Sequence, residues 1–244
     1  MDYLVSHMEA IKSMNAIILA AGLGSRFGEM TKETSKTLLP VGNLPGIEHT
    51  LQFLKRNNIT DIIIVTGYRA ERFSYLKENY GVELLYNDKY REYNNRYSFA
   101  LAADHFGDTL VIDGDVVILG DILVPMSCST YYLIQREEDE AEWIPELDMS
   151  GRVRAMLVSD DHKPSLLGVS YWTKEAGDLI RAKLPMYTTE SELRNTKAYW
   201  DDIPAQLYDK LEVRTVEVSA DKAREMDNRE QYEAICRLTE EFKN

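Results

Sequence analysis

Cysteine and histidine are scarce in this chain of 244 residues: Cys128 and Cys236 are the only two cysteines, and the four histidines are His7, His49, His105 and His162. Neither set has the close spacing of a zinc site, and two isolated cysteines do not make the disulfide framework of a small secreted protein. Both thiols are expected to be reduced, in a cytoplasmic protein. Long apolar runs are missing as well. No stretch approaches the roughly 18 residues that a membrane span requires, and the apolar run at 16–21 is too short, and too far from a basic leader, for a signal peptide. Positive charge is in short supply: 28 Lys and Arg stand against 41 Asp and Glu, a net charge of −13. Nucleic acid is therefore disfavoured as a partner, since holding a phosphate backbone needs a basic footprint. Repeats and low-complexity linkers are absent too. The expected organisation is an extension at 1–14 and a single domain over 15–241, with a 15–120 half and a 121–241 half.

The most informative stretch that is present is 15–40. Leu19, Ala20 and Ala21 end an apolar run that enters Gly22, Gly24, Ser25 and Arg26, and Lys36 follows ten residues after the arginine. An apolar run closed by glycines reads as a buried strand ending in a tight loop. Glycines let backbone N–H groups approach an anion, and the two cations add charge to it. The loop is not the dinucleotide fingerprint, which needs a third glycine where this chain has Phe27 and an acid closing the second strand where it has Thr66-Gly67-Tyr68. Nor is it a Walker loop, because no Gly-Lys-Ser/Thr lies nearby.

Strands and helices then alternate: strands at 15–21, 61–66, 82–86 and 109–117, helices at 47–58, 70–79 and 95–104. This rhythm predicts a parallel, doubly wound sheet with right-handed crossovers. Beyond 120 the pattern changes to strands at 131–136, 152–158, 166–172 and 211–218, with helices at 174–183 and 229–241. A mixed or antiparallel portion covering the substrate is expected there. The acidic run at 136–140 reads as a solvated loop. At 111–115 the sequence Val-Ile-Asp-Gly-Asp ends a strand. Alternation predicts that Asp113 and Asp115 point the same way, with Gly114 leaving room for a ligand, at the sheet edge where the glycine loop also ends. Carboxylates beside a polyphosphate suit Mg²⁺.

The glycine loop with its distant lysine resembles the signature of nucleotidyltransferases that activate sugars and small phosphorylated alcohols, and within them the bacterial CTP:phosphocholine cytidylyltransferases. The resemblance continues through 61–68, Tyr-Asn-Asp-Lys-Tyr at 86–90, 93–98, 111–115, Tyr-Trp-Asp at 199–201 and Glu-Met-Asp at 225–227. The chain departs from it at Ser35, where the family usually has proline, and at Gly28-Glu29, where it often has Arg-Pro. The resemblance implies a Rossmann-like α/β nucleotidyltransferase fold and transfer of a nucleotidyl group from CTP to a small acceptor with release of pyrophosphate. It implies catalytic roles for Arg26, Lys36 and Asp115, and Mg²⁺ held by Asp115 and Asp227. The nucleotide would be held by Leu19, Ala20, Ala21, Gly22, Gly24, Ser25, Asn94, Ser98 and Asp113.

The acceptor is expected to be small, cationic and phosphorylated or phosphonate. Aromatic faces hold a quaternary ammonium, which points to Trp143 beside Glu142, and to Tyr199 and Trp200 beside Asp201; Tyr171 and Trp172 read as core. The neighbouring acids Glu142, Glu146, Asp201 and Asp202 leave a primary ammonium such as 2-aminoethylphosphonate open. A sugar phosphate, or a nucleotide-binding regulatory domain without catalysis, are the remaining readings. No nucleic acid and no membrane is expected among the partners.

Overall fold

The computed structural model describes residues 14–136 and 140–241. Residues 1–13 of the expected extension and 137–139 of the acidic run lie outside them. Met14 is buried and joins the core.

The chain opens with β1 (Asn15–Ala20), a 3₁₀ turn at Ser25–Thr31, another at Lys36–Leu38, and a small hairpin of β2 (Pro40–Val41) and β3 (Leu44–Pro45). Helix α1 (Gly46–Arg56), β4 (Ile62–Thr66), α2 (Tyr75–Tyr80), β5 (Glu83–Tyr86), α3 (Asn95–Leu101) and β6 (Thr109–Asp113) complete the alternating part. Then come β7 (Val116–Ile118), β8 (Ser129–Ile134), β9 (Glu142–Leu147), β10 (Val153–Ser159), β11 (Ser165–Trp172), α4 (Lys174–Lys183), α5 (Glu190–Leu193), α6 (Asp202–Ala205), β12 (Val213–Val218), β13 (Ala223–Glu225) and α7 (Arg229–Glu241).

Seven strands form one sheet in the order β12-β8-β11-β6-β1-β4-β5. Strands β6, β1, β4 and β5 are mutually parallel, β11 runs antiparallel to both β6 and β8, and β12 is parallel to β8. The mostly parallel sheet with an added mixed portion is as expected. Its central strands are apolar on both faces because both are covered. Ala16, Ile18, Ile62, Ile64 and Ile112 face Leu51, Leu54, Phe73 and Leu76. Their strand neighbours Ile17, Leu19, Ile63, Val65 and Val111 face Phe99, Trp172 and Trp200.

The structure corrects the expected elements in three places. The strand expected at 109–117 breaks after Asp113, and β7 leaves the sheet to pair with β13. The helix at 70–79 splits into a 3₁₀ turn at Ala70–Phe73 and the short α2. Strand β9 was not foreseen; it pairs with β10 as a separate ribbon.

The glycine at 114 has a steric cause. A Cβ on Gly114 would lie 2.7 Å from Ala20 Cα and 2.8 Å from the Leu19 carbonyl oxygen. The room that Gly114 leaves is thus occupied by β1, not by a ligand. The Gly114 N–H donates to the Leu19 carbonyl at 2.9 Å and carries the β1–β6 pairing one step past Leu19 opposite Asp113. Replacing Gly114 by alanine must push the two strands apart. Overpacking of this kind costs about 1–3 kcal/mol, so Gly114→Ala is expected to lower the calorimetric unfolding midpoint by several degrees. An unchanged midpoint would refute the close approach.

Candidate active site

The carboxyl ends of β1 and β6 meet at the sheet edge where an open α/β fold places its ligand crevice. Gly24 turns the chain out of β1 at φ 62 and caps the turn at Ser25–Thr31. A Cβ there would meet Lys36 Cβ at 3.1 Å, so glycine serves both the left-handed backbone and the passage of the Lys36 stem. The Thr31 hydroxyl donates to the Gly24 carbonyl at 3.0 Å, and Phe27 anchors the turn in a third apolar cluster with Leu39, Val41 and Met226.

Lys36 occupies the centre. Its Nζ donates to Asp115 Oδ2 at 2.5 Å and to Asp227 Oδ1 at 3.2 Å, and Arg26 approaches the same Asp227 oxygen at 3.5 Å. Burial alone would lower the Lys36 pKa; the two carboxylates outweigh it and hold the ammonium charged well above its ordinary range. Asp113 is pushed well up by burial and by the negative charges of Asp115, Asp201 and Glu225. Burial also raises Glu225 to about 8, with Arg136 pulling the other way and Asp115 and Asp227 adding to the rise.

Two clefts adjoin at this centre and share Arg26, Asp113, Asp115, Tyr199 and Asp227 in their walls. The first, of about 310 Å³, is lined by Leu19, Ala20, Ala21, Gly22 and Lys36, and on its far side by Asn87, Tyr90, Asn94 and Ser98. Gly24 and Ser25 shape the turn without lining it. Asn94 has a structural duty here. Its Oδ1 caps α3 by accepting from the Arg96 N–H, and its Nδ2 donates to the Glu192 and Asn195 carbonyls. Ser98 is buried and accepts from Asn87 Nδ2 at 2.9 Å.

The second cleft, of about 340 Å³, has Glu142, Trp143, Tyr199 and Asp201 in its walls, and Tyr131, Gly168, Ser170 and Glu225 beside them. Trp143 and Tyr199 stand edge to face with centroids 6.1 Å apart. Tyr199 is 46% exposed, but Trp200, expected beside it as an acceptor residue, is 2% exposed. Its ring stacks on Phe99 at 4.7 Å and meets Trp172 edge to face. Trp200 is therefore packed in the core, where it also forms part of the cleft's lining, and it holds the 198–203 segment to the sheet. Asp202 is spoken for by the buried Arg96, at 2.7 Å, while Glu146 is exposed on the ribbon. Asp201 is raised to about 7 by burial and by Asp202.

Reasoning from the sequence missed Asn87, Tyr131, Gly168, Ser170 and Glu225. Asn87 and Glu225 lie inside motifs already singled out at 86–90 and 225–227; nothing in the sequence marks the other three. The donor chemistry is that of two hard carboxylates, Asp115 and Asp227, aimed at one cation. Among the described residues no group of three or more His, Cys, Asp or Glu is arranged for a metal. A two-carboxylate site suits Mg²⁺, which completes its shell with water and phosphate oxygens.

A glycine turn and paired acids at this edge of a doubly wound sheet define a nucleotidyltransferase. The chain belongs to the MobA-like NTP transferase domain family, whose model matches residues 16–163. It is 47% identical over 223 residues to a choline-phosphate cytidylyltransferase of Haemophilus influenzae, covering 91% of this chain and 96% of the relative. A 2-aminoethylphosphonate cytidylyltransferase of Lancefieldella rimae is 32% identical, with 88% of each chain covered. The solved CTP:phosphocholine cytidylyltransferase of Streptococcus pneumoniae superimposes with a TM-score of 0.87 at 34% identity, covering 93% of this chain and 99% of that one.

Lys36→Ala is expected to lower turnover by about 10²–10³-fold, the scale for losing one preorganised charge at a reacting centre. Circular dichroism is expected to show the fold retained. Undiminished turnover would remove Lys36 from the chemistry.

Proposed function

We propose that this chain joins CTP and phosphocholine to give CDP-choline and pyrophosphate, with Mg²⁺, in the cytoplasm. The observation that carries the reading is the junction of two clefts at Lys36, Asp115 and Asp227: one lined by the glycine turn, the other by an aromatic pair and acids. CTP lies in the first, its base toward Asn87 and Ser98 and its phosphates toward Gly22, Arg26 and Lys36. The trimethylammonium lies in the second cleft against the walls that Trp143 and Tyr199 form, where each cation–π contact contributes about 0.5–2 kcal/mol. Asp201 and Glu142 supply counter-charge.

The acceptor phosphate attacks the α-phosphorus of CTP and pyrophosphate leaves in line. A phosphate monoester dianion is already a nucleophile, so no general base is required. Lys36 and Arg26 offset the charge that develops on the transferring and leaving groups. Asp115 and Asp227 would hold Mg²⁺, which supplies charge neutralisation between phosphate oxygens.

A second reading, 2-aminoethylphosphonate as acceptor, is favoured by the acids in the same cleft and by the Lancefieldella relative. Pyrophosphate release separates the two when phosphocholine, phosphoethanolamine, 2-aminoethylphosphonate and a hexose 1-phosphate are compared. Phosphocholine is expected to be the best acceptor. Preference for the phosphonate would transfer recognition from the rings to the carboxylates, and no turnover with any acceptor would refute the assignment.

The raised Asp201 gives a pH signature. Below about 7 it is neutral and above it is charged, so its attraction for a cation grows as pH rises through that value. The acceptor phosphate titrates nearby, so the quantity to compare is the difference between wild type and Asp201→Asn. Their acceptor kcat/KM values are expected to converge near pH 5.5 and to diverge in favour of wild type by pH 8.5. Parallel profiles would show that Asp201 does not face the ammonium.

A further inference from the structure

Arg136 is two residues beyond β8, and its side chain is 11% exposed. It gathers three separate elements. Nη2 donates to the Leu166 carbonyl at 2.6 Å and to the Glu225 carboxylate; Nε donates to Ser165 Oγ at 3.0 Å and stands 3.3 Å from Glu142 Oε1. Glu225 and Glu142 line the second cleft, whereas Arg136 does not. It reaches the cleft through them and through Leu166, which also lines it.

Each tether bears on a different wall. Leu166 stands just before Gly168, whose φ of 73 falls where the β11–β8 register shifts between Leu166 and Ser170. A Cβ on Gly168 would lie 3.0 Å from Asp113 Oδ2 and 3.1 Å from Glu225 Oε1, so that wall has no slack. Glu142 opens β9, the ribbon strand that carries Trp143. The ribbon is paired to itself and not to the main sheet, so its placement over the cleft depends on contacts such as this ion pair.

We propose that Arg136 is a positioning residue for the acceptor. By holding Glu142 on the ribbon against Glu225, it sets the gap between Trp143 and the sheet. It thereby determines how tightly a small cationic acceptor is held, without touching it. The inference rests on the acceptor reading above and deepens it. A merely structural guanidinium would affect both substrates alike; a positioning one affects the acceptor alone.

Initial rates with CTP and acceptor varied separately test this in wild type, Arg136→Ala, Arg136→Lys and Glu142→Gln. Arg136→Ala is expected to raise the acceptor KM about tenfold or more with the CTP KM within about twofold, and Arg136→Lys to recover part of the loss. Combined with Glu142→Gln, its effect on the acceptor KM is expected to fall short of the product of the two single effects, since both break one tether. Equal changes in both KM values, or none, would overturn the proposal. Should Arg136→Ala fail to fold by thermal melting, Arg136→Lys must still raise the acceptor KM by about threefold with the CTP KM unchanged, since one ammonium cannot hold Glu142, Glu225 and the Leu166 carbonyl together; an unchanged acceptor KM would overturn the proposal. The wild-type rate with phosphocholine reports on the assigned function. The variant-to-wild-type ratio, read with whichever amine acceptor the wild type uses, reports on Arg136.

Discussion

One ammonium group holds the centre of this molecule together. Asp115 and Asp227 each carry an oxygen to within 3.2 Å of Lys36 Nζ, and two carboxylates so close would repel strongly in a partly buried site without a positive charge between them. The lysine opens the second 3₁₀ turn after β1, Asp115 lies between β6 and β7, and Asp227 lies between β13 and α7. Strand pairing, β1 with β6 and β7 with β13, brings these segments together, and the ammonium balances the charge where they meet. The sheet supplies the platform: pairing of Leu19 with Asp113 aligns the ends of β1 and β6.

The alternating half was readable because its signals are local. Apolar runs closed by glycine mark β1 and β4, and the helix pattern before Ile62 marks α1. The doubly wound arrangement follows from their order. What escaped depends on distant pairing or on side-chain direction. Strand β9 contains Pro145, which removes a ladder donor and hides a strand that survives as half of a two-stranded ribbon. Strands β7 and β13 are three residues each, too short for periodicity to register, and exist only because they find one another.

The site was legible to a similar degree. The loop cations and Asp115 stand in motifs that the sequence displays; Asp227 enters only through the family resemblance. Tyr199 and Trp200 are adjacent aromatics just before Asp201, and the sequence does not tell their roles apart. One turns inward to stack on Phe99 and the other outward toward Trp143, and only packing decides which. Asn94 is likewise committed to capping α3 and strapping it to the 192–195 segment.

The separation of the three central charges along the chain has a consequence for biosynthesis. Lys36 and Asp115 are 79 residues apart, but Lys36 and Asp227 are 191. Domains assemble as the ribosome delivers them, at about 5–20 residues per second. A nascent chain that has completed β1 to β6 thus lacks both the second carboxylate and the β7–β13 pairing that delivers it. Partial products, whether from stalled ribosomes or from cleavage before β13, carry the glycine turn and Lys36 without Asp227, so the three-charge centre closes only once residue 227 has been made.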